Sequence, residues 1–397
     1  MGQIDKNHPA PAWIESLRRK YPIEPQIDQL LVRKLIRRAG PGYHSVGLDT
    51  LVNGVTSLLS NRIGAGFHLD NPRWLSGGAS KLQMAFDLDW DDPQAGRIRS
   101  PMVLRIEPAE SIVATSRLRE FQLIRAMEGK VPVPRVYWCD EEGEHLPYPG
   151  LIYGFSEGVT KPSNTTSGVS GTGIRLSREI RERLAPQFVG HLAAIHSVDY
   201  RSADLSAFTA PEPGTQCAQW SVAWWERVWE EDGDEEIPLL RVAAAWLRRH
   251  LPVLKDPVLV HSDYRLGNFL FTEHDLRISA VLDWELGRIG DRHQDIAWTT
   301  SRTFGGIDDD GEFLVCGMLP EAAFYDAYED AAGHEINRRT VRWYQVYNNF
   351  SLAILLIGSG YRVAINGKTH QDVLVAWLSG LASVVLDQMR EQIEEGL

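Results

Sequence analysis

Three polar residues at the ends of short apolar runs carry the strongest chemical signal in this sequence. Asp263 and Asn268 lie five positions apart in His261-Ser-Asp-Tyr-Arg-Leu-Gly-Asn268, and Asp283 follows in Val281-Leu-Asp-Trp-Glu285. Phosphoryl transfer needs few parts: a carboxylate to orient the acceptor hydroxyl, oxygen ligands for a divalent cation, and cations on the phosphates. Asp263 can orient the hydroxyl. Asn268 and, fifteen residues on, Asp283 supply oxygens, which the hard ion Mg2+ takes. Each residue alone has a plainer explanation: Asp263 can cap a turn, Asn268 beside Gly267 can adopt a left-handed conformation, and Asp283 can end a strand. All three in this order, on loops flanked by strands, are harder to reach through turn chemistry.

The elements that must position them can be read from periodicity. Val258–Val260, Phe269–Phe271 and Ile278–Leu282 read as short strands joined by loops. They sit inside a helical part: apolar residues recur every three or four positions from Leu176 to Ile195, with Pro186 predicted to kink or split the segment. Helices resume from Asp295 to the end. Upstream, strand-like segments run from Trp74 to about Ile106 and a helix covers Ser111 to Met127, ended by Val131-Pro-Val-Pro134. A short strand pair then reaches Leu151–Phe155. Residues 1–68 are mostly helical, with Ile27, Leu30, Leu31 and Leu35 on one face.

The pattern His-x-Asp-x-x-x-x-Asn, followed by an apolar strand and Asp, resembles the aminoglycoside phosphotransferase and choline kinase-like family, which is related to protein kinases. Val281 to Trp298 is similar to one branch of it, the kinase module fused to acyl-CoA dehydrogenases. The resemblance runs from about Leu75 to Ile357. It implies an α+β, bilobal protein-kinase-like fold, with a small antiparallel-sheet N-lobe at 69–157, a larger mainly helical C-lobe at 158–397 and a helical leader at 1–68. It also implies ATP and Mg2+ as cofactors and a small-molecule hydroxyl substrate. The acceptor it favours is a hydroxy acid or hydroxyacyl thioester; an aminoglycoside is the alternative, and a nucleotide-binding pseudokinase scaffold is a rival of another class. Ser262 stands where the family often has glycine. His261 corresponds to a loop histidine that is largely structural in the family. Arg265 falls where protein kinases commonly carry a phosphate-contacting lysine. It either clamps the phosphate as a catalytic cation or forms a loop salt bridge to Glu285 or Asp291.

In the first half, Leu75-Ser-Gly-Gly-Ala-Ser-Lys81 reads as a glycine turn whose backbone can cover phosphates, so Ser76, Gly77, Gly78 and Ser80 are candidate nucleotide contacts. Met102 to Pro108 resembles the family's nucleotide-holding strand, with Arg105 where kinases usually have lysine. Glu120 shares a helix face with Leu123, Ile124 and Met127. A carboxylate on an apolar face needs a cation, and Arg105 is the natural partner, with Arg117 and Lys81 as alternatives. Backbone groups near Tyr153 and Phe155 are expected at the adenine.

Composition narrows the class. A net charge of −12 argues against a nucleic-acid partner. The longest apolar run, Leu352–Ile357, is too short for a bilayer, and residues 1–13 carry no export pattern. Cys139, Cys217 and Cys316 are widely spaced and form no zinc or redox motif, which fits a reducing, cytoplasmic setting. Glu230–Glu236 holds six carboxylates in seven residues. It reads either as a solvated loop or as a lip that attracts a cationic substrate. His191, His196, Trp224, Trp225 and Trp229 read as core.

Overall fold

The computed structural model describes residues 4–75, 82–107, 112–163, 175–368 and 378–397. Three helices come first: α1 (Pro11–Lys20), α2 (Pro25–Arg38) and α3 (Leu48–Ile63). β1 (His68–Trp74), β2 (Leu82–Asp92), β3 (Gly96–Ile106), α4 (Arg117–Met127), β4 (Val136–Asp140) and β5 (Gly150–Gly154) follow. The five strands form an antiparallel sheet in the order β1-β2-β3-β5-β4.

Side chains alternate across a strand, and this alternation decides what Arg105 can meet. Met102, Leu104 and Ile106 of β3 pack with Met84, Phe86 and Leu88 against Leu51, Val55, Leu58 and Leu59 of α3. Val103 and Arg105 therefore face the other way. There Val103 joins Leu123, Ile124 and Met127 of α4 in the main core. Ile27, Leu30 and Leu31 of α2 enter that same core.

The rest is chiefly helical: α5 (Arg178–Ser197), α6 (Gln216–Asp232), α7 (Pro238–Arg249), α8 (Arg292–Thr299), α9 (Glu321–Ala332), α10 (Arg338–Ile354), α11 (Tyr361–Ile365) and α12 (Ala382–Glu395). A six-residue π-helical stretch, Leu355–Gly360, joins α10 to α11. The chain therefore has an α+β fold, with a small antiparallel N-terminal sheet and a mainly helical remainder. No helix among the described residues is long and apolar enough to cross a membrane.

Three details differ from the sequence expectations. Pro186 does not split α5, which runs unbroken through it. Pro186 and Glu182 are both exposed, so the Glu182 carbonyl left without its amide partner faces water, where it can still be hydrogen-bonded. Small strands also escaped periodicity: β9 (Arg288–Gly290), and β10 (Gly306–Ile307), β11 (Phe313–Val315) and β12 (Leu319–Pro320) in a sheet of their own. Runs of two or three residues are too short for a period to show.

The acidic run is the third difference. Its first part is not a solvated loop but the end of α6, where Glu231 and Asp232 are fully buried. Asp232 accepts from Lys34 Nζ at 2.6 Å, from Arg38 Nη2 at 2.5 Å and from Ser359 Oγ at 2.6 Å. Burial alone would raise its pKa, but Lys34 and Arg38 hold it well below the usual range. Glu231, bonded to Arg227 at 2.8 Å, is pushed up to about 7 by burial, with Asp232 adding to the shift. Arg227 also reaches Asp28 of α2 at 2.5 Å. Trp225 is buried too, its indole donating to Tyr347 Oη at 3.1 Å.

Candidate active site

Asp263 and Asn268 lie on the loop between β6 (Val258–Val260) and β7 (Phe269–Thr272), and Asp283 follows β8 (Arg277–Val281). β7 and β8 form a hairpin with Phe269 opposite Val281. Leu282 N–H donates to Asn268 O at 2.8 Å, so a backbone bond ties the two candidate metal-binding segments together.

The loop itself is held from behind by one carboxylate. Asp295 on α8 accepts from His261 N at 2.7 Å and from Ser262 N at 2.6 Å. Ser262 has φ 66°, the left-handed region that favours glycine, at a cost of about 1–2 kcal/mol for other residues. That geometry is a physical reason for a glycine at this position, and Asp295's two bonds offset the strain. His261 is buried; its Nδ1 accepts from Asp263 N at 3.2 Å, so Nε2 carries the proton and donates to Leu282 O at 2.8 Å. It is a strut between the two chemical segments.

His196 completes the anchor, with Nε2 3.1 Å from Asp295 Oδ2 and Nδ1 2.6 Å from Tyr328 Oη. Burial lowers its pKa, partly countered by Asp295. A histidine held neutral in the fold but protonated when unfolded contributes stability that is present above about pH 6.5 and lost as pH falls towards the folded pKa. His196 should therefore steepen the fall of melting temperature between pH 7 and pH 5, opposed by Glu231, whose raised pKa acts the other way, and His196→Gln should remove that contribution. An unchanged slope in the variant would remove His196 as a cause.

Asp263's carboxylate is closely held. Oδ1 accepts from Arg265 Nε at 2.8 Å and from Trp298 Nε1 at 2.7 Å, and Oδ2 accepts from Asn268 Nδ2 at 2.6 Å. Asn268 Nδ2 also donates to Asp263 O at 2.9 Å. Both amide hydrogens thus point at Asp263, which leaves the amide oxygen as the group that can meet a cation. Asp283, in a left-handed conformation at φ 62°, turns its carboxylate to Arg105 Nη1 at 2.5 Å. This donor set of amide and carboxylate oxygens suits Mg2+. Arg265 pairs with Asp263, rather than with Glu285 or Asp291, and lies over the Phe304 ring.

Arg105 is buried among three carboxylates: Asp283, Glu285 at 3.0 Å, and Glu120 at 3.4 Å from its Nε. The pairing of Arg105 with Glu120 is in place, and so is the alternative, because Arg117 also holds Glu120 and reaches Glu285 at 3.4 Å. α4 comes this close because residue 287 is glycine; a Cβ there would collide with Leu123. Arg105→Ala should weaken MgATP binding about tenfold or more, while Arg117 keeps part of the stability. Combined with Glu120→Gln it should show a coupling of about 0.5–3 kcal/mol. Strict additivity in denaturation would refute the pairing.

Tyr153 lies in β5, and the Gly154 and Phe155 amides donate to Arg135 O and Pro101 O at 2.8 and 2.9 Å. The Gly154 and Phe155 amides are therefore already engaged within the protein. Ser76, Gly77, Gly78, Ser80 and Lys81 lie outside the described residues. A cavity of about 440 Å³ opens away from Asp263, between α2, Arg117 and the Glu141–Pro149 loop. Sequence reading missed Asp295 and Trp298 as parts of the site, and named Arg117 and Glu285 only as alternative salt-bridge partners of Glu120 and Arg265. The signal for Asp295 and Trp298 was only that a carboxylate and an indole follow the second motif three residues apart.

The sequence model of the phosphotransferase enzyme family matches residues 83–344, which contain Arg105, Glu120, Asp263, Asn268, Asp283 and Asp295. The chain belongs to that family. Among curated proteins it is 28% identical over 201 residues to mouse acyl-CoA dehydrogenase family member 10, covering 50% of this chain and 18% of that protein. It is 36% identical over 114 residues to chicken acyl-CoA dehydrogenase family member 11, covering 28% and 14%. These matches span less than a fifth of either relative. Among solved structures, a candidate aminoglycoside phosphotransferase from Ralstonia eutropha superposes with a TM-score of 0.63 at 21% identity, covering 87% of this chain and 98% of that one. Macrolide 2′-phosphotransferase type I gives 0.51 at 18% identity, covering 83% and 95%. A GDP and kanamycin complex of APH(2″)-IIIa gives 0.51 at 14%, covering 86% and 99%. At such identities the structures establish the shared fold.

Proposed function

We propose that this phosphotransferase moves the γ-phosphoryl group of ATP to a hydroxyl of a hydroxy acid or hydroxyacyl thioester. The observation that carries the reaction is the orientation of Asn268, whose amide hydrogens both engage Asp263 and whose oxygen is left for a cation beside Asp283. Bound Mg2+ would neutralise phosphate charge there. Asp263 orients the acceptor hydroxyl, and Arg105 supplies the remaining positive charge. The sequence feature that favoured a cationic amino-alcohol is weakened, because Glu231 and Asp232 are engaged in internal ion pairs while Asp234, Glu235 and Glu236 stay exposed. The named relatives, acyl-CoA dehydrogenase family members, point the same way.

The test is a transfer assay with labelled ATP against 3-hydroxybutyryl-CoA, free hydroxy acids and kanamycin. Labelled product is expected in the first two; label only in kanamycin would reverse the acceptor assignment, and none with any acceptor would favour the scaffold. Calorimetry provides a companion prediction. ATP should bind appreciably only with Mg2+, and Asp283→Ala should abolish the difference. Affinity indifferent to both would sink the metal assignment.

A further inference from the structure

Asp263's two oxygens are not equivalent, and the cause lies on α8. A carboxylate offers about four acceptor positions, two on each oxygen. Oδ1 has both filled, by Arg265 Nε and Trp298 Nε1, whereas Oδ2 takes one donor, Asn268 Nδ2. We propose that Trp298 is a positioning residue that closes Oδ1 and so makes Oδ2 the atom that receives the acceptor hydroxyl. This rests on the phosphotransferase reading above.

The geometry supports a built device rather than a chance contact. Trp298 stands three residues after Asp295 on the same helix, so one turn of α8 holds the loop's backbone through Asp295 and its working carboxylate through Trp298. The indole is half-buried and packs on Phe304, with ring centroids 4.8 Å apart. The Arg265 guanidinium lies 4.9 Å over the same Phe304 ring. One ring thus braces both donors to Oδ1. Indole is a donor only, so this hydrogen bond cannot reverse when a hydroxyl arrives, and the hydroxyl proton is directed to Oδ2.

The test compares wild type with Trp298→Phe, which keeps a ring and removes the N–H, and Phe304→Leu, which loosens both donors. Turnover is measured with MgATP and 3-hydroxybutyryl-CoA and, separately, with water as the acceptor. Crystal structures are determined with Mg2+ and AMP-PNP. In Trp298→Phe, kcat should fall roughly ten- to hundredfold, the scale of a small misplacement. KM for ATP should stay within about twofold, and the Asp263 carboxylate should rotate; Phe304→Leu should do the same to a smaller degree. Unchanged kcat overturns the proposal, as does an unmoved Asp263 with ATP affinity and melting temperature falling together. If wild type transfers phosphate to no acceptor, water included, the phosphotransferase reading fails by itself. The orientation of Asp263 in the variant crystal then still decides Trp298's role, an unmoved carboxylate overturning it.

Discussion

Asp263→Asn is expected to leave MgATP affinity nearly intact while lowering turnover about 10²-fold or more, the usual scale for losing a positioned base. Of the residues proposed to hold MgATP, Arg105 and Asp283 do not bond to Asp263, and Asn268, which does, keeps its bond to the Asp263 backbone carbonyl. The substitution is nearly isosteric, but its effect reaches further than one charge. Asp263 accepts three hydrogen bonds, and an amide can accept on only one of its two ends. Either Asn268 or the Arg265/Trp298 pair would then face an N–H group. Steady-state kinetics beside calorimetry would separate the effects: unchanged turnover with an identified acceptor would end the catalytic assignment, and a parallel loss of ATP affinity would move Asp263 into the nucleotide site.

The largest expected stability effect lies far from the chemistry, at Asp232→Ala. Lys34 and Arg38 are buried against this one carboxylate, and removing a partner from a buried ion pair costs about 3–5 kcal/mol because the other charge is stranded. Arg38 also donates to Glu231 O at 3.1 Å, and Arg362 donates to Asp232 O, so the backbone bonds should survive. The loss belongs to the side chain. Denaturant unfolding of the variant within about 1 kcal/mol of wild type would show that the cations find water or other partners. Lys34→Met with Arg38→Leu and Asp232→Leu together should recover much of the stability, since apolar replacements of buried ion pairs are often neutral.

How far the sequence could be read followed from the reach of each interaction. The strands around Asp263 and Asp283 were legible because each apolar run is bounded by turn residues, and Arg105 and Glu120 because both break an apolar face nearby in sequence. The bonds between Asp295 and His261 and between Trp298 and Asp263 were not, because they join positions 34 and 35 residues apart through a helix whose rotation cannot be known before it packs. The first part of the acidic run was misread for a related reason. Carboxylate density looks like solvation when the compensating cations are 198 positions away, as Lys34 is from Asp232. Pro186 shows the opposite error, since a local rule held chemically but its cost was absorbed by the solvent-facing side of the helix.

That separation between Lys34 and Asp232 has a consequence during synthesis. At about 5–20 residues per second, roughly 10–40 s pass between the ribosome making Lys34 and making Asp232. Arg362, which bonds the Asp232 carbonyl and Asp234, comes later still. Until Asp232 is made, Lys34 and Arg38 lack its carboxylate, and the core that receives Ile27, Leu30 and Leu31 is incomplete. The charges of α2 keep it in water while its apolar stripe offers a surface to anything that binds nascent chains. α2, made early, therefore completes its buried ion pairs only after α6 has been made.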